Sequence, residues 1–255
     1  GPSALVASAD GERVYAATLG ATGLPGGIAS FDNVVLGLAM PAPSIDVTTF
    51  VDVETLGVTT ASGDDTIRLR AAPTATTMTI NTGIGGDVVI AQDIAATTTI
   101  DLGTGADEAQ LRSERSGTTL VVNGGNGQDL ITIDRSGASS TTRIVGGTGQ
   151  DTVRVAGARI PISATTILDA TDTDTAPFDL LVFDPGSTSP DAFQFSPAGA
   201  NPNPVAGTLQ SGTRTGATFT PTAGLVQYSN FEGVQVVSAP IVTLPTPSAI
   251  LEGGS

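Results

Sequence analysis

The stretch NGGNGQDLITI, Asn123 to Ile133, is rebuilt as VGGTGQDTVRV from Val145 to Val155. Aligned on the aspartate, the same pattern reads TASGDDTIRL at Asp65, TGIGGDVVIA at Asp87, LGTGADEAQL at Asp107, GGNGQDLITI at Asp129 and GGTGQDTVRV at Asp151, at intervals of 22, 20, 22 and 22 residues. This short period is the tightest constraint on the fold. A unit of about twenty residues cannot bury an apolar face alone, whereas stacked copies share one continuous core.

The flanks say what each unit is. Two and four residues past each aspartate stand Ile67 and Leu69, Val89 and Ala91, Ala109 and Leu111, Ile131 and Ile133, and Val153 and Val155, mostly separated by polar residues. Period two is a strand with one face buried. Seven residues before each aspartate comes another apolar position: Val58, Ile80, Ile100, Val122 and Ile144. Each unit therefore reads as strand, Gly-rich corner, strand, looser turn. The chain is expected to be all-β, a parallel β-solenoid (β-helix) of rungs of about 22 residues with β-hairpin caps. Like residues then stack about 4.8 Å apart. No 3.6-residue periodicity supports a substantial helix, and a propeller needs about 40 residues per blade. The corner glycines, such as Gly127 and Gly149, follow from tight turns that need positive φ.

The ends of the stack differ from its middle, as an open solenoid requires to protect its edges. FVDVETLGV (Phe50–Val58) and YSNFEGVQV (Tyr228–Val236) read as opening and closing rungs, with Glu54 and Glu232 equivalent. FDLLVF at Asp179 is a degraded sixth copy after an insertion containing TDTDTAP. DAFQF, GTLQS and GATFTP suggest a hairpin excursion before the closing rung. ALVASADGERVYAATLG reads as a hairpin turning at Asp10-Gly11, with GGIASF as a third strand, covering the first edge. The expected organisation is a tag remnant and N-terminal β cap over 1–45, the repeat solenoid over 46–184, a hairpin insertion and closing rung over 185–240, and a tail over 241–255. Gly1-Pro2-Ser3 reads as a protease scar and Leu251–Ser255 as a linker, so the chain reads as a piece of a larger protein.

Composition removes whole classes of chemistry. The 255 residues include no Cys, His, Trp or Lys, and all ten cations are Arg. Thiol chemistry, histidine-ligated zinc, histidine-based triads and lysine Schiff bases are therefore excluded. The formal charge of −15 disfavours nucleic acid and anionic lipid as partners, and no apolar run approaches the roughly 18 residues of a membrane span.

The same charge favours divalent cations, and the aspartate column sharpens the point. Unit charges about 4.8 Å apart repel by about 0.9 kcal/mol in water and about 3.5 kcal/mol at an effective dielectric near 20. Bound cations, raised pKa values or splayed side chains are needed to offset this. The corners resemble the repeats of RTX, or haemolysin-type, proteins, written G-G-x-G-x-D-x-U-x, which GGNGQDLIT and GGTGQDTVR fit in full. The longer spacing resembles large bacterial surface proteins. That resemblance, covering roughly residues 50–183, implies Ca²⁺ at Asp65, Asp87, Asp107, Asp129 and Asp151. The alternative reading is that each aspartate caps its own corner through backbone N–H groups. SADGERVYAATLG separately resembles one blade repeat of lactonase-like propellers.

Three further features bear on function. Thr77, Thr97, Thr119 and Thr141, with Thr79 and Thr99 beside them, form outward rows suited to glycan or ice, although Val121 and Arg143 interrupt the second row and exposed strands favour threonine anyway. Asp184-Pro185 is a labile bond type with Asp179 as a candidate helper, or simply a strand end followed by a proline-led turn. Parallel β-helices host carbohydrate-active enzymes, and pairs such as Asp64/Asp65 suit acid–base work, but aromatics are only 4% and Trp is absent, which leaves few platforms for sugar rings. The expected protein is a non-catalytic structural or adhesin-type module, secreted or at a bacterial cell surface. Its expected partners are neighbouring domains of a larger surface protein and a glycan or other cell-surface ligand.

Overall fold

The structure, a computed structural model, describes residues 4–7, 13–17, 28–32, 55–60, 62–69, 77–170, 179–186, 193–197 and 205–237. Strands β1 (Ala4–Ala7), β2 (Arg13–Ala17) and β3 (Ile28–Asp32) form a separate antiparallel sheet in sequential order. The Asp10-Gly11 turn lies outside the described residues, as do Glu54 and the TDTDTAP insertion.

The remainder is a parallel β-solenoid, and each coil gives one strand to each of two sheets. The larger sheet takes β4 (Thr55–Thr59), β6 (Thr77–Asn81), β8 (Thr97–Asp101), β11 (Thr119–Gly127), β13 (Thr141–Thr148) and β15 (Thr165–Asp169). The seven-stranded sheet takes β5 (Thr66–Leu69), β7 (Val88–Ala91), β10 (Glu108–Arg112), β12 (Leu130–Arg135), β14 (Thr152–Ala156), β16 (Leu180–Asp184) and β20 (Gly233–Val236). A two-residue strand, β9 (Thr104–Gly105), pairs with β11 inside the corner. Apart from the 3₁₀ turn Gly157–Arg159, the described residues contain no helix.

Register follows the sequence repeat. Ala109 pairs with Val89 on one side and Ile131 on the other, and Ile131 pairs in turn with Val153. The alternation places one residue in two inside, and Val89, Ala109, Ile131 and Val153 are fully buried. Across the core stands the column Ile80, Ile100, Val122, Ile144 and Leu168, equally buried. Most of these residues are β-branched, with Ala109 and Leu168 the exceptions, and stacked apolar side chains of this kind pack the levels densely.

The C-terminal end is built differently. β19 (Thr218–Phe231) pairs parallel with β15 along its second half and antiparallel with β18 (Val205–Thr215), which pairs with β17 (Phe193–Pro197). The larger sheet, ten strands in all, thus ends in an antiparallel cap, while the smaller ends at β20. Aromatic residues fill this end: Phe183 lies 6.3 Å from Phe193, Phe195 stacks at 6.3 Å on Tyr228, and Tyr228 meets Phe231 edge-on at 6.4 Å. The hairpin excursion expected from the Pro- and Gly-rich stretch is this cap.

One expected equivalence fails. Thr55 stands in register with Thr77, Thr97, Thr119, Thr141, Thr165 and finally Leu225. Leu56 and Val58 therefore share a sheet with Val226 and Tyr228, whereas Val234 and Val236 lie in the other sheet. The strands that follow Glu54 and Glu232 share a pattern because any half-buried strand alternates, and not because they occupy the same place in the coil.

Candidate functional site

The repeated aspartates meet at one corner, where each coil passes from the larger sheet to the smaller. Asp65, Asp87, Asp107, Asp129 and Asp151 are each at most 4% exposed. They form a directional ladder. The amide of Asp65 donates to Asp87 Oδ1 at 2.8 Å, that of Asp87 to Asp107 Oδ1 at 2.7 Å, and that of Asp107 to Asp129 Oδ1 at 2.9 Å. Asp129 donates to Asp151 Oδ1 at 3.0 Å and Asp151 to Asp179 Oδ1 at 2.7 Å. Asp179 closes the series on Glu232 Oε2 at 2.7 Å. The main chain adds a second rung, since the residue after each aspartate donates to the aspartate carbonyl one coil earlier, as Leu130 does to Asp107 and Thr152 to Asp129, both at 2.8 Å.

The bonding has a local cause. Where a strand bends out of its sheet, the next coil no longer presents a carbonyl to the aspartate amide, and a buried unpaired N–H is costly. The carboxylate of the next coil supplies the acceptor. The aspartates do cap backbone N–H groups, but the amide capped belongs to the preceding coil rather than to the aspartate's own corner.

Glycine makes room for the carboxylates. A Cβ on Gly124 would lie 2.6 Å from Asp129 Oδ2 and 2.1 Å from the Gly146 carbonyl oxygen, and one on Gly146 would lie 2.7 Å from Asp151 Oδ2. The leading glycine of the motif is thus a space requirement, while the turn requirement falls on the next one, with a φ of 103° at Gly125 and 113° at Gly147.

Asp179 and Glu232 complete the column, and the sequence signal for both was present. Each is followed at two and four residues by inward apolar side chains: Leu181 and Phe183, then Val234 and Val236. The last corner has no Gly-rich turn; Asn230 supplies a positive φ of 63° there, and the longer glutamate reaches the Asp179 amide.

Burial sets the electrostatics. It pushes the Asp107 carboxyl up to about 6, helped by the charges of Asp129, Asp87 and Asp64 and opposed by the Asp87 amide. Burial likewise raises Asp65, opposed by the nearby Thr60 hydroxyl and with Asp87 and Asp64 adding to it, and raises Asp129 against the Asp107 amide. The folded chain therefore binds protons on these groups more tightly than the unfolded chain does; the stability from Asp107 is full below about pH 4 and lost as pH rises through about 6, and Asp65 and Asp129 act in the same direction. Thermal unfolding should accordingly show a midpoint several degrees higher near pH 4.5 than near pH 7.5. A midpoint that fell on acidification would contradict the burial of these carboxyls.

The acidic side chains alone do not make up a calcium site. Ca²⁺ takes six to eight oxygens at about 2.3–2.6 Å. Here each coil brings one carboxylate, its Oδ1 faces an N–H, and among the described residues no three acidic side chains converge as metal ligands. Asp64 and Asp65 do not form a catalytic pair either: Asp64 is exposed and accepts the Gly86 amide at 2.8 Å, while Asp65 points inward. Asp184 accepts the Gly186 amide at 2.7 Å, as a strand-end turn should. Asp179 sits at the opposite end of β16 from Asp184-Pro185, about 16 Å away at strand rise, so it is no helper for cleavage there.

The other corner is held by ion pairs between coils. Arg115 meets Asp93 at 2.8 Å, Arg159 meets Asp134 at 2.6 Å, and Arg135 contacts Glu114. Half-exposed pairs of this kind contribute little individually, but each again joins one coil to the next.

No family model, curated protein or solved structure matches this chain. The site's geometry is the ground on which a function can be argued.

Proposed function

We propose that the chain is a non-catalytic structural module, a stalk or spacer segment of a larger bacterial surface protein. The observation that carries this reading is the ladder: the residues the sequence repeats most faithfully face a neighbouring coil rather than a ligand. The charged residues of the opposite corner support it, since their partners also lie one coil away. Such a stack is stiff along its axis, lengthens by adding coils, and asks nothing of its outer faces but solubility. Secretion or surface display fits an acidic, cysteine-free scaffold and forms part of the proposal.

Incubation of the chain with a panel of acidic and neutral polysaccharides should leave their length distribution unchanged. Release of new chain ends by the wild type, lost on Asp64→Asn, would establish a carbohydrate-active enzyme instead.

A second reading rests on the threonine row. Thr55, Thr77, Thr97, Thr119 and Thr141 are exposed and in register, which would suit an adhesive face for glycan or ice. The adjacent row, Gly57, Thr79, Thr99, Val121 and Arg143, is irregular. Binding that survived substitution of Thr97 and Thr99 by valine would remove this reading.

A further inference from the structure

The Gly-Asp corner has the sequence of a cation site and the geometry of a site that needs no cation. A corner held by metal would converge several oxygens on one point. Here Oδ1 of Asp87, Asp107 and Asp129 each accepts an amide at 2.7–2.9 Å from the coil before. Oδ2 of the same three side chains is buried without a hydrogen-bond partner, and at Asp129 it packs against the Cα of Gly124, where even one added carbon would lie 2.6 Å away.

We infer that the aspartates are coil locks standing in for the cation of an RTX-like corner: each clamps the main chain of the preceding coil, Glu232 terminates the series, and the stack assembles without calcium. The consequence concerns where the chain can fold. A domain closed by a metal folds only where that metal is supplied, because metal binding is part of its folding free energy. A stack closed by its own carboxylates folds wherever it is made, before any encounter with calcium. The inference is separable from the scaffold role, since polysaccharide turnover tests one and metal dependence the other.

The test uses the whole chain in EGTA and then in millimolar CaCl₂, comparing wild type, Asp129→Asn and Asp129→Ala by thermal unfolding and amide hydrogen exchange. The wild-type midpoint should be the same in both media, and the Asp107 amide equally protected. Asparagine keeps the acceptor oxygen and should preserve that protection, whereas alanine should abolish it. If the alanine variant does not fold, the wild-type comparison and Asp129→Asn still decide. Saturable stabilisation of the wild type by calcium would overturn the inference; an ion present at a hundred times its Kd raises the folding constant about a hundredfold. So would loss of Asp107 protection in Asp129→Asn, because it would mean that the charge, and not the acceptor, holds the coil.

Discussion

Gly127→Ala should cost about 4 kcal/mol or more, enough to unfold most of the stack at moderate temperature. Gly127 has a φ of 140°, and a Cβ there would lie 1.5 Å from the Gly105 carbonyl oxygen and 2.6 Å from its carbon. The obstacle is backbone, which cannot rotate aside, and Gly105 is itself stacked against Gly85 at 1.6 Å by the same measure. Relief in one coil therefore transfers strain to the next. Gly63 provides the internal control. It occupies the same slot in the first described corner with a φ of 110°, and nothing lies within 4 Å of its would-be Cβ. Gly63→Ala should carry only the dihedral strain, about 1–3 kcal/mol. Urea unfolding of the two variants separates the terms, and equal losses would show that the coils are not in the contact described.

Phe183→Ala should be nearly as severe, about 3–5 kcal/mol. Phe183 is fully buried and pairs through the main chain with Val155 and Val236. Its ring meets Phe193 of the cap and fills the space over Gly157, where a Cβ would lie 2.2 Å from a ring atom. Truncation empties the junction between the last coils and the hairpin, so β17 and β18 should exchange amide hydrogens before the central coils do. A uniform loss of protection across the molecule would instead show that the cap and stack unfold as one unit.

The architecture was legible in the sequence because two independent periods agreed. The alternation around Ile131 and Ile133 marks a strand with one buried face, and its return at Val153 and Val155 fixes the register between coils. Side-chain parity in a strand leaves few other solutions. Convergence of Asp65, Asp87, Asp107, Asp129 and Asp151 on one edge followed from the same spacing. What the spacing could not say is which way each carboxylate turns and whether its partner is a cation or an amide. That depends on the path of the Gly-rich backbone, where φ is unusually free. Glu232 belongs to the closing rung as its sequence suggests, but its equivalence with Glu54 does not follow, because alternation alone does not tell one sheet from the other; only the pairing of β19 with β15 and of β20 with β16 does.

The ladder runs one way, and that gives the molecule a grain. Each of the six ladder aspartates, Asp65 to Asp179, has its amide satisfied by the coil that follows it in sequence. Shortening from the front removes a donor and leaves behind a carboxylate that water can solvate. Shortening from the back strips an acceptor from an amide facing the interior. A nascent chain meets the second situation continually, with its newest coil always incomplete until one more has emerged. Only at Glu232, followed by β20, does that demand end.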